Sequence, residues 1–288
     1  MAGHARPHQH PDLQFLLASH PGTVSVRVLS LQGEVLFDHQ SERPFPSASL
    51  IKVPLLVRAL WHVQQGQARL EERLTLRAYE RVPGSGVLSQ LDAGLALTLR
   101  DVLTLMTVVS DNTATNLVID RFGLHDVNVF LREAGMNNSE LIGQLQLPPG
   151  RQNERQRAGE RNRTSAHDIS RLLLRLVRGE LLSPALTDLA LDILSRQQVR
   201  DIIARHVPRG ADGELLYRVA SKGGELSGVR HDAGIVWTPR PLILALLSEG
   251  GSDLREHPDN REVALLARLA GHLIAVLGDI PPEPAGLE

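Results

Sequence analysis

Strand-like segments stand at both ends of this chain and helical ones fill its middle, an order that few architectures satisfy. TVSVRVLSL (23–31) alternates apolar and polar residues, the period of a half-buried strand. Gln32-Gly33 marks a turn and EVLFDH (34–39) returns, so the pair reads as a hairpin. Far along the chain LLYRVASKG (215–223), HDAGIVWTP (231–239) and PLILALLSE (241–249) read as three more strands. Between them helical periodicity predicts helices from Ser49 to about Gln65, at 97–110, 113–121 and 124–134, after Thr164, and at about 183–206. A short amphipathic pattern predicts a helix at 11–19, and a last helix is predicted at about 260–278. The stretch 66–97 is mixed, with a Pro-Gly-Ser-Gly turn at 83–86, and 136–163 shows no period and reads as a long surface loop. Ser165 and Asp168 have the spacing of a capping box. The simplest solution is a mixed α/β (α+β) fold. Residues 1–44 and 209–288 would form an antiparallel sheet flanked by the terminal helices, and 45–208 an inserted all-helical subdomain.

The 288 residues are 42% hydrophobic, enough for a proper core. A net charge of −2 gives no electrostatic footprint for nucleic acid or an anionic membrane surface. No apolar stretch approaches the ~18 residues of a membrane span. The expectation is a monomer acting on a small molecule. The opening residues lack the apolar core and cleavage site of a secretory signal, which predicts a cytoplasmic protein or a mature form already trimmed. Cysteine is absent, which excludes disulfides, thiolate metal sites and thiol catalysis. The 12 histidines include no H-E-x-x-H, and His4, His8 and His10 read as a terminus, so neither metal nor cofactor is expected.

Lysine is nearly missing: of 31 Lys and Arg residues only Lys52 and Lys222 are lysines. A genome that writes Arg wherever either cation serves explains the arginines but not the two exceptions. They mark places where Arg cannot do the chemistry. Lys52 follows Ser49 by three residues, so on a helix the two side chains share a face. A serine hydroxyl needs a base to become a nucleophile. Lysine is that base only when neutral, and its ordinary pKa of ~10.4 leaves well under ~1% neutral at pH 7. Lowering it to ~8 costs about 3 kcal/mol, which burial and a neighbouring cation can supply. Arginine would need about twice that shift. Alone, Ser-x-x-Lys is a short pattern, and a helix-capping Ser near a solvated Lys is its ordinary meaning; here Leu50, Ile51, Val53, Leu55 and Leu56 surround the lysine.

Two further motifs are separately ambiguous. Ser110-Asp111-Asn112 reads as helix punctuation, or as a second hydroxyl for proton transfer with an amide that holds a substrate carbonyl. Lys222-Gly223-Gly224 reads as a strand bulge or as close approach by a ligand.

Together, Ser49-x-x-Lys52, Ser110-Asp111-Asn112 and Lys222-x-Gly224 resemble in order and approximate spacing the class A β-lactamases and their penicillin-binding relatives, over most of the chain. Both lysines fall where that family has a functional lysine. The resemblance implies a β-lactamase/transpeptidase-like fold and acyl transfer to Ser49 with Lys52 as candidate base. It implies a proton relay through Ser110, and an oxyanion site from the backbone N–H groups of Ser49 and, after Gly224, of Glu225. Asn112 would bind the substrate's side-chain amide, and Lys222 its carboxylate.

The chain departs from that family where the acyl group must be released. The family's E-x-x-L-N, whose Glu activates the deacylating water, is missing. The loop 136–163 offers Glu140, Glu154 and Glu160; Glu160 is the first candidate base and Glu154 the second, each against the reading of a solvated loop carboxylate. Gly223 replaces a hydroxyl residue, the Gly84-Ser85-Gly86 turn stands where many relatives place an aromatic wall, and Arg230 is an alternative anion contact. Three functions remain open: a β-lactamase, a related D-alanyl peptidase or esterase with weak β-lactam turnover, and a β-lactam-binding sensor that stays acylated.

Overall fold

A computed structural model describes residues 11–280, so the reading of His4, His8 and His10 lies outside the described residues. Strands β1 (Thr23–Ser30) and β2 (Val35–His39) form the expected hairpin. The strands β3 (Phe45–Pro46), β4 (Arg73–Thr75), β5 (Ala96–Thr98) and β6 (Arg163–Thr164) are short, and β7 (Val219–Leu226), β8 (Val229–Val236) and β9 (Leu242–Glu249) complete the set. Among the described residues the helices are α1 (Pro11–Ala18), α2 (Lys52–Gln64), α3 (Leu99–Val108), α4 (Asn112–Phe122), α5 (Leu124–Glu133), α6 (Glu154–Arg157), α7 (Ala166–Val177), α8 (Pro184–Ser195) and α9 (Arg261–Leu277). None is long and apolar enough to cross a membrane.

The main sheet is antiparallel with strand order β2-β1-β9-β8-β7, so strands from the two chain ends meet at the β1–β9 pair. Its residues sort by the two-residue period of a strand. Val24, Val26, Val28, Leu242, Leu244 and Leu246 pack with Leu13, Leu16 and the apolar stripe of α9. Ala220, Ala233, Ile235, Ile243, Ala245 and Leu247 pack with α2, α3 and α7 on the other face. Both faces are therefore covered, and β1 is buried on both sides rather than half-buried; its Ser25 hydroxyl donates to the Gln40 carbonyl, 3.1 Å away. We propose 45–208 as one subdomain and the two chain ends as the other. The 45–208 stretch is not purely helical, since it holds the β3–β6 and β4–β5 pairs.

Three expectations shift for physical reasons. The helix predicted to reach 206 stops at Ser195. Beyond it side chains take over: Gln197 donates to the Thr107 carbonyl (3.0 Å), and the Ile203 N–H donates to Asp232 Oδ2 (2.9 Å). Strand β7 starts later than predicted and runs on through Glu225 and Leu226. The two-residue turn Ser227-Gly228, with Gly228 at φ 69°, then pairs Leu226 with Val229. Ser165 caps α7 by accepting the Asp168 N–H at 3.1 Å, but Asp168 does not return the bond. Its carboxylate instead accepts the Asn138 N–H and the Ser139 hydroxyl, at 2.8 and 2.7 Å.

Candidate active site

Ser49 sits in a single 3-10 turn, Ala48–Ile51, that runs directly into α2, whose first residue is Lys52. The two are thus one turn apart, as the spacing predicts. Edge strand β7 lies against this turn. A Cβ added to Gly224 would stand 2.9 Å from the Ser49 nitrogen, so only glycine lets the strand backbone come so close. The Gly224→Ala variant is expected to push β7 away from Ser49 and to destabilise the fold by about 1–3 kcal/mol, which denaturant unfolding measures.

Between α3 and α4 the backbone folds so that Ser110 takes φ 56°, a left-handed conformation unusual for serine. Its hydroxyl is 2.9 Å from the Ser49 hydroxyl. The same oxygen accepts from Lys52 Nζ at 3.0 Å and from Lys222 Nζ at 3.1 Å. The Lys52 ammonium also donates to the Ser110 carbonyl (2.6 Å) and Asn112 Oδ1 (2.9 Å), which uses all three of its protons. Lys52 therefore communicates with Ser49 through the Ser110 hydroxyl.

Both lysines are buried. Burial holds Lys52 well below its ordinary pKa, the Lys222 charge lowers it further, and Asp111 opposes. Burial brings Lys222 down to about 8, against the attraction of Asp232 and Glu225. Asp232, opposite Gly223 in the β7–β8 pair, is pushed up to about 6 by burial.

Asp111 is the clasp of the site. It caps α4 through the Ala114 N–H (2.8 Å) and accepts the N–H groups of Val87 and Leu88 at 2.7 and 2.8 Å. The Asn112 N–H donates to the Ser85 carbonyl at 3.0 Å. These bonds pin the Gly84-Ser85-Gly86 turn beside Ser49. A Cβ on Gly86 would collide with Asp111 at 2.3 Å, so the turn keeps its glycine. Asn112 Nδ2 reaches the Pro83 carbonyl at 3.2 Å.

A cleft of about 610 Å³ opens over Ser49, lined by Ser85 and Asn112, by Gln144–Leu147, by Glu160–Asn162, and by Glu225 and Glu256. The wall 141–145 is held by side-chain amides throughout. Asn128 bonds both the N–H and the carbonyl of Leu141, and Asn162 bonds the Ile142 and Gly143 N–H groups and the Gly143 carbonyl. Asn153 takes the Ile142 carbonyl and Gln156 the Gln144 carbonyl. Asn116 closes the series by donating to the Leu145 carbonyl and accepting its N–H, at 2.9 and 2.8 Å. The residue so presented to the cleft is an apolar leucine.

The sequence-derived bases do not fare well. Glu160 lines the cleft, but both its oxygens accept from Arg155 (3.0 and 2.5 Å), whose hydrogen bonds pull its pKa down, the wrong direction for a base. Glu140 is tied to Arg155 and Arg163 and is likewise lowered, chiefly by Arg155. Glu154 is exposed at the start of α6 and does not line the cleft. Arg230 reaches a smaller adjoining cavity, yet its terminal nitrogens are committed to the carbonyls of Leu226 (2.6 Å), Val229 (2.8 Å) and Arg255 (3.0 Å). Its Nε is buried without a hydrogen-bond partner and lies 3.9 Å from Glu225, so what the guanidinium keeps free faces a carboxylate of its own chain. Among the described residues no group of three or more His, Asp or Glu could hold a metal.

Residues 10–277 match the family model described as "Beta-lactamase enzyme family". A β-lactamase structure from Sphaerobacter thermophilus is 35% identical with TM-score 0.81, covering 94% of this chain and 98% of its own. PBP-A is 28% identical with TM-score 0.77 over 91% of this chain and 94% of its own. A leucine-to-glutamate mutant of PBP-A is known as an acyl-enzyme complex with penicillin G. The β-lactamase CARB-3 of Pseudomonas aeruginosa is 25% identical over 86% of this chain and 84% of its own.

Proposed function

This chain belongs to the beta-lactamase enzyme family and is a β-lactamase-type hydrolase, and from that premise we propose that Ser49 carries the acyl group in the opening of β-lactam amides. The observation that carries the reading is the Ser110 hydroxyl, within 3.1 Å of Ser49 Oγ and of both lysine Nζ atoms.

Neutral Lys52 is the base. Ser49 passes its proton to the Ser110 oxygen while Ser110 gives its own to Lys52 Nζ, and the Ser49 oxygen forms a bond to the lactam carbonyl carbon. The resulting oxyanion meets the N–H groups of Ser49 and Glu225, brought together by the close approach at Gly224. When the C–N bond breaks, the departing nitrogen takes the Ser110 proton and Lys52 resupplies it, so the lysine ends neutral. Asn112 holds the substrate's side-chain amide from the cleft wall, and Lys222 stays charged to hold its carboxylate.

Acylation should therefore follow a bell-shaped pH profile. The acid limb rises as Lys52 loses its proton, and the alkaline limb falls near pH 8 as Lys222 loses its charge. Lys222→Arg keeps that charge and is expected to remove the alkaline limb at a modest loss of rate. Single-turnover rates between about pH 5 and 10 check both points. A retained limb near 8 in the variant would assign it to another group.

Release is the slow half of the cycle, because the loop wall offers the ester no base: Glu160 is exposed and bound by Arg155, and the amide-clamped stretch presents Leu145. Leu145 favours a second reading, a D-alanyl peptidase, esterase or acyl-holding sensor with poor β-lactam turnover. Hydrolysis of a chromogenic cephalosporin and of short p-nitrophenyl esters, each against Ser49→Ala, separates these. Lactam turnover after the first equivalent selects the lactamase, and ester turnover alone selects the relative.

A further inference from the structure

The cleft over Ser49 carries charges of opposite sign on its two walls. The loop wall contributes Arg161, which is exposed and whose guanidinium donates to the backbone carbonyl of Glu160 at 3.3 Å. The carboxylate nearest in sequence, Glu160, is already taken by Nε and Nη2 of Arg155. The 160–162 corner that carries Arg161 is fixed: the Asn162 side chain bonds Ile142 and Gly143, and the Asn162 carbonyl accepts the Ser47 N–H at 2.7 Å. The β7 wall contributes two carboxylates, Glu225 and Glu256. Glu225 forms a 3.9 Å ion pair with Arg230 Nε, too long for a hydrogen bond, so its half-exposed carboxylate keeps its hydrogen-bonding capacity for a ligand.

A neutral acyl arm leaves all of these charges to water. An arm with one charge gains at one wall and loses at the other. An arm that ends in both a carboxylate and an ammonium gains at both, and the cleft volume accommodates it. We propose that this cleft selects acyl donors whose acyl arm ends in a free amino acid, with Arg161 reading its carboxylate and Glu225 and Glu256 its ammonium. The inference deepens the acyl-enzyme reading above and rests on it.

Two cephalosporins with the same nucleus supply the test. Cephalosporin C bears an aminoadipyl arm, which is zwitterionic, and cephalothin a neutral thienylacetyl arm. Acylation efficiency at Ser49 is measured by intact-protein mass spectrometry at low ionic strength for the full chain and for Arg161→Gln, Arg161→Lys and Glu256→Gln. Cephalosporin C is expected to be favoured about fivefold; Arg161→Gln and Glu256→Gln each lower its rate several-fold and leave cephalothin within about a factor of two. Arg161→Lys keeps most of the preference. About 1 M salt, where the screening length is roughly 3 Å, abolishes it. No preference, or variants that slow both compounds equally, would overturn the inference while leaving Ser49 acylation intact. Absence of any adduct with either compound would instead overturn the acyl-enzyme reading, and this one with it.

Discussion

Replacing Lys52 with Arg is expected to lower the rate of Ser49 acylation on the order of a thousandfold, although the positive charge is kept. The reason lies in what the site does to the group. Lys52 is buried and faces the charge of Lys222, and both effects favour its neutral form. A guanidinium in the same place stays protonated, because its pKa lies some three units higher before burial acts. It is also larger and planar, and the three acceptors around Lys52 suit the three protons of an ammonium. Pre-steady-state mixing with a chromogenic cephalosporin gives the acylation rate directly. Near-native acylation in Lys52→Arg would mean that the proton leaves Ser49 by another path. Because burial lowers the Lys52 pKa in the folded state, the fold binds fewer protons there than the unfolded chain. Lys52 therefore costs stability below its unfolded pKa, most at low pH, and this cost shrinks as pH rises toward ~10.4.

Replacing Leu145 with Glu is expected to speed release of the acyl group by a hundredfold or more, within the range of roughly 10²–10⁴ that a placed general base provides. The place already exists. Asn116 grips both backbone polar groups of Leu145, and the half-buried side chain lines the cleft that contains Ser49. Leucine and glutamate are similar in length, and the amide clamps on 141–145 act on the backbone, so they survive the exchange. Arg155 serves as a control. Freeing Glu160 by Arg155→Gln is expected to leave release nearly unchanged, since Glu160 is exposed and a carboxylate open to water remains a poor general base even without the arginine. The decay of a penicilloyl adduct, followed by mass, reports both variants. A Leu145→Glu adduct as durable as the native one would mean that water does not reach the ester from this wall.

These two residues also mark what was legible in the sequence. Lys52 stands out because lysine is so rare in this chain and because its spacing from Ser49 is a helical one. The terminal strands were legible for a similar reason, since a two-residue period survives in TVSVRVLSL even when both faces are covered. Leu145 carries no such signal. It is one apolar residue in an aperiodic loop, and its position is set by Asn116, 29 residues earlier. Asp111 was visible as part of a motif, but its grip on Val87 and Leu88 belongs to the tertiary fold. The helix predicted to continue through 196–206 failed because the Gln197 and Asp232 side chains take the Val199 and Ile203 N–H groups, and propensity yields to such contacts. Glu160 was the best carboxylate in the loop on spacing alone, and its exposure to water together with the grip of Arg155 removes it.

The most direct measurement is an intact-protein mass time course after mixing with benzylpenicillin. The expected result is a rapid increase equal to one whole penicillin, located on the peptide containing Ser49 and absent from Ser49→Ala, that persists long after acylation is complete. An unmodified mass at every time point, with no hydrolysis, would contradict acylation at Ser49. An adduct that clears as fast as it forms would contradict the slow release assigned to Leu145.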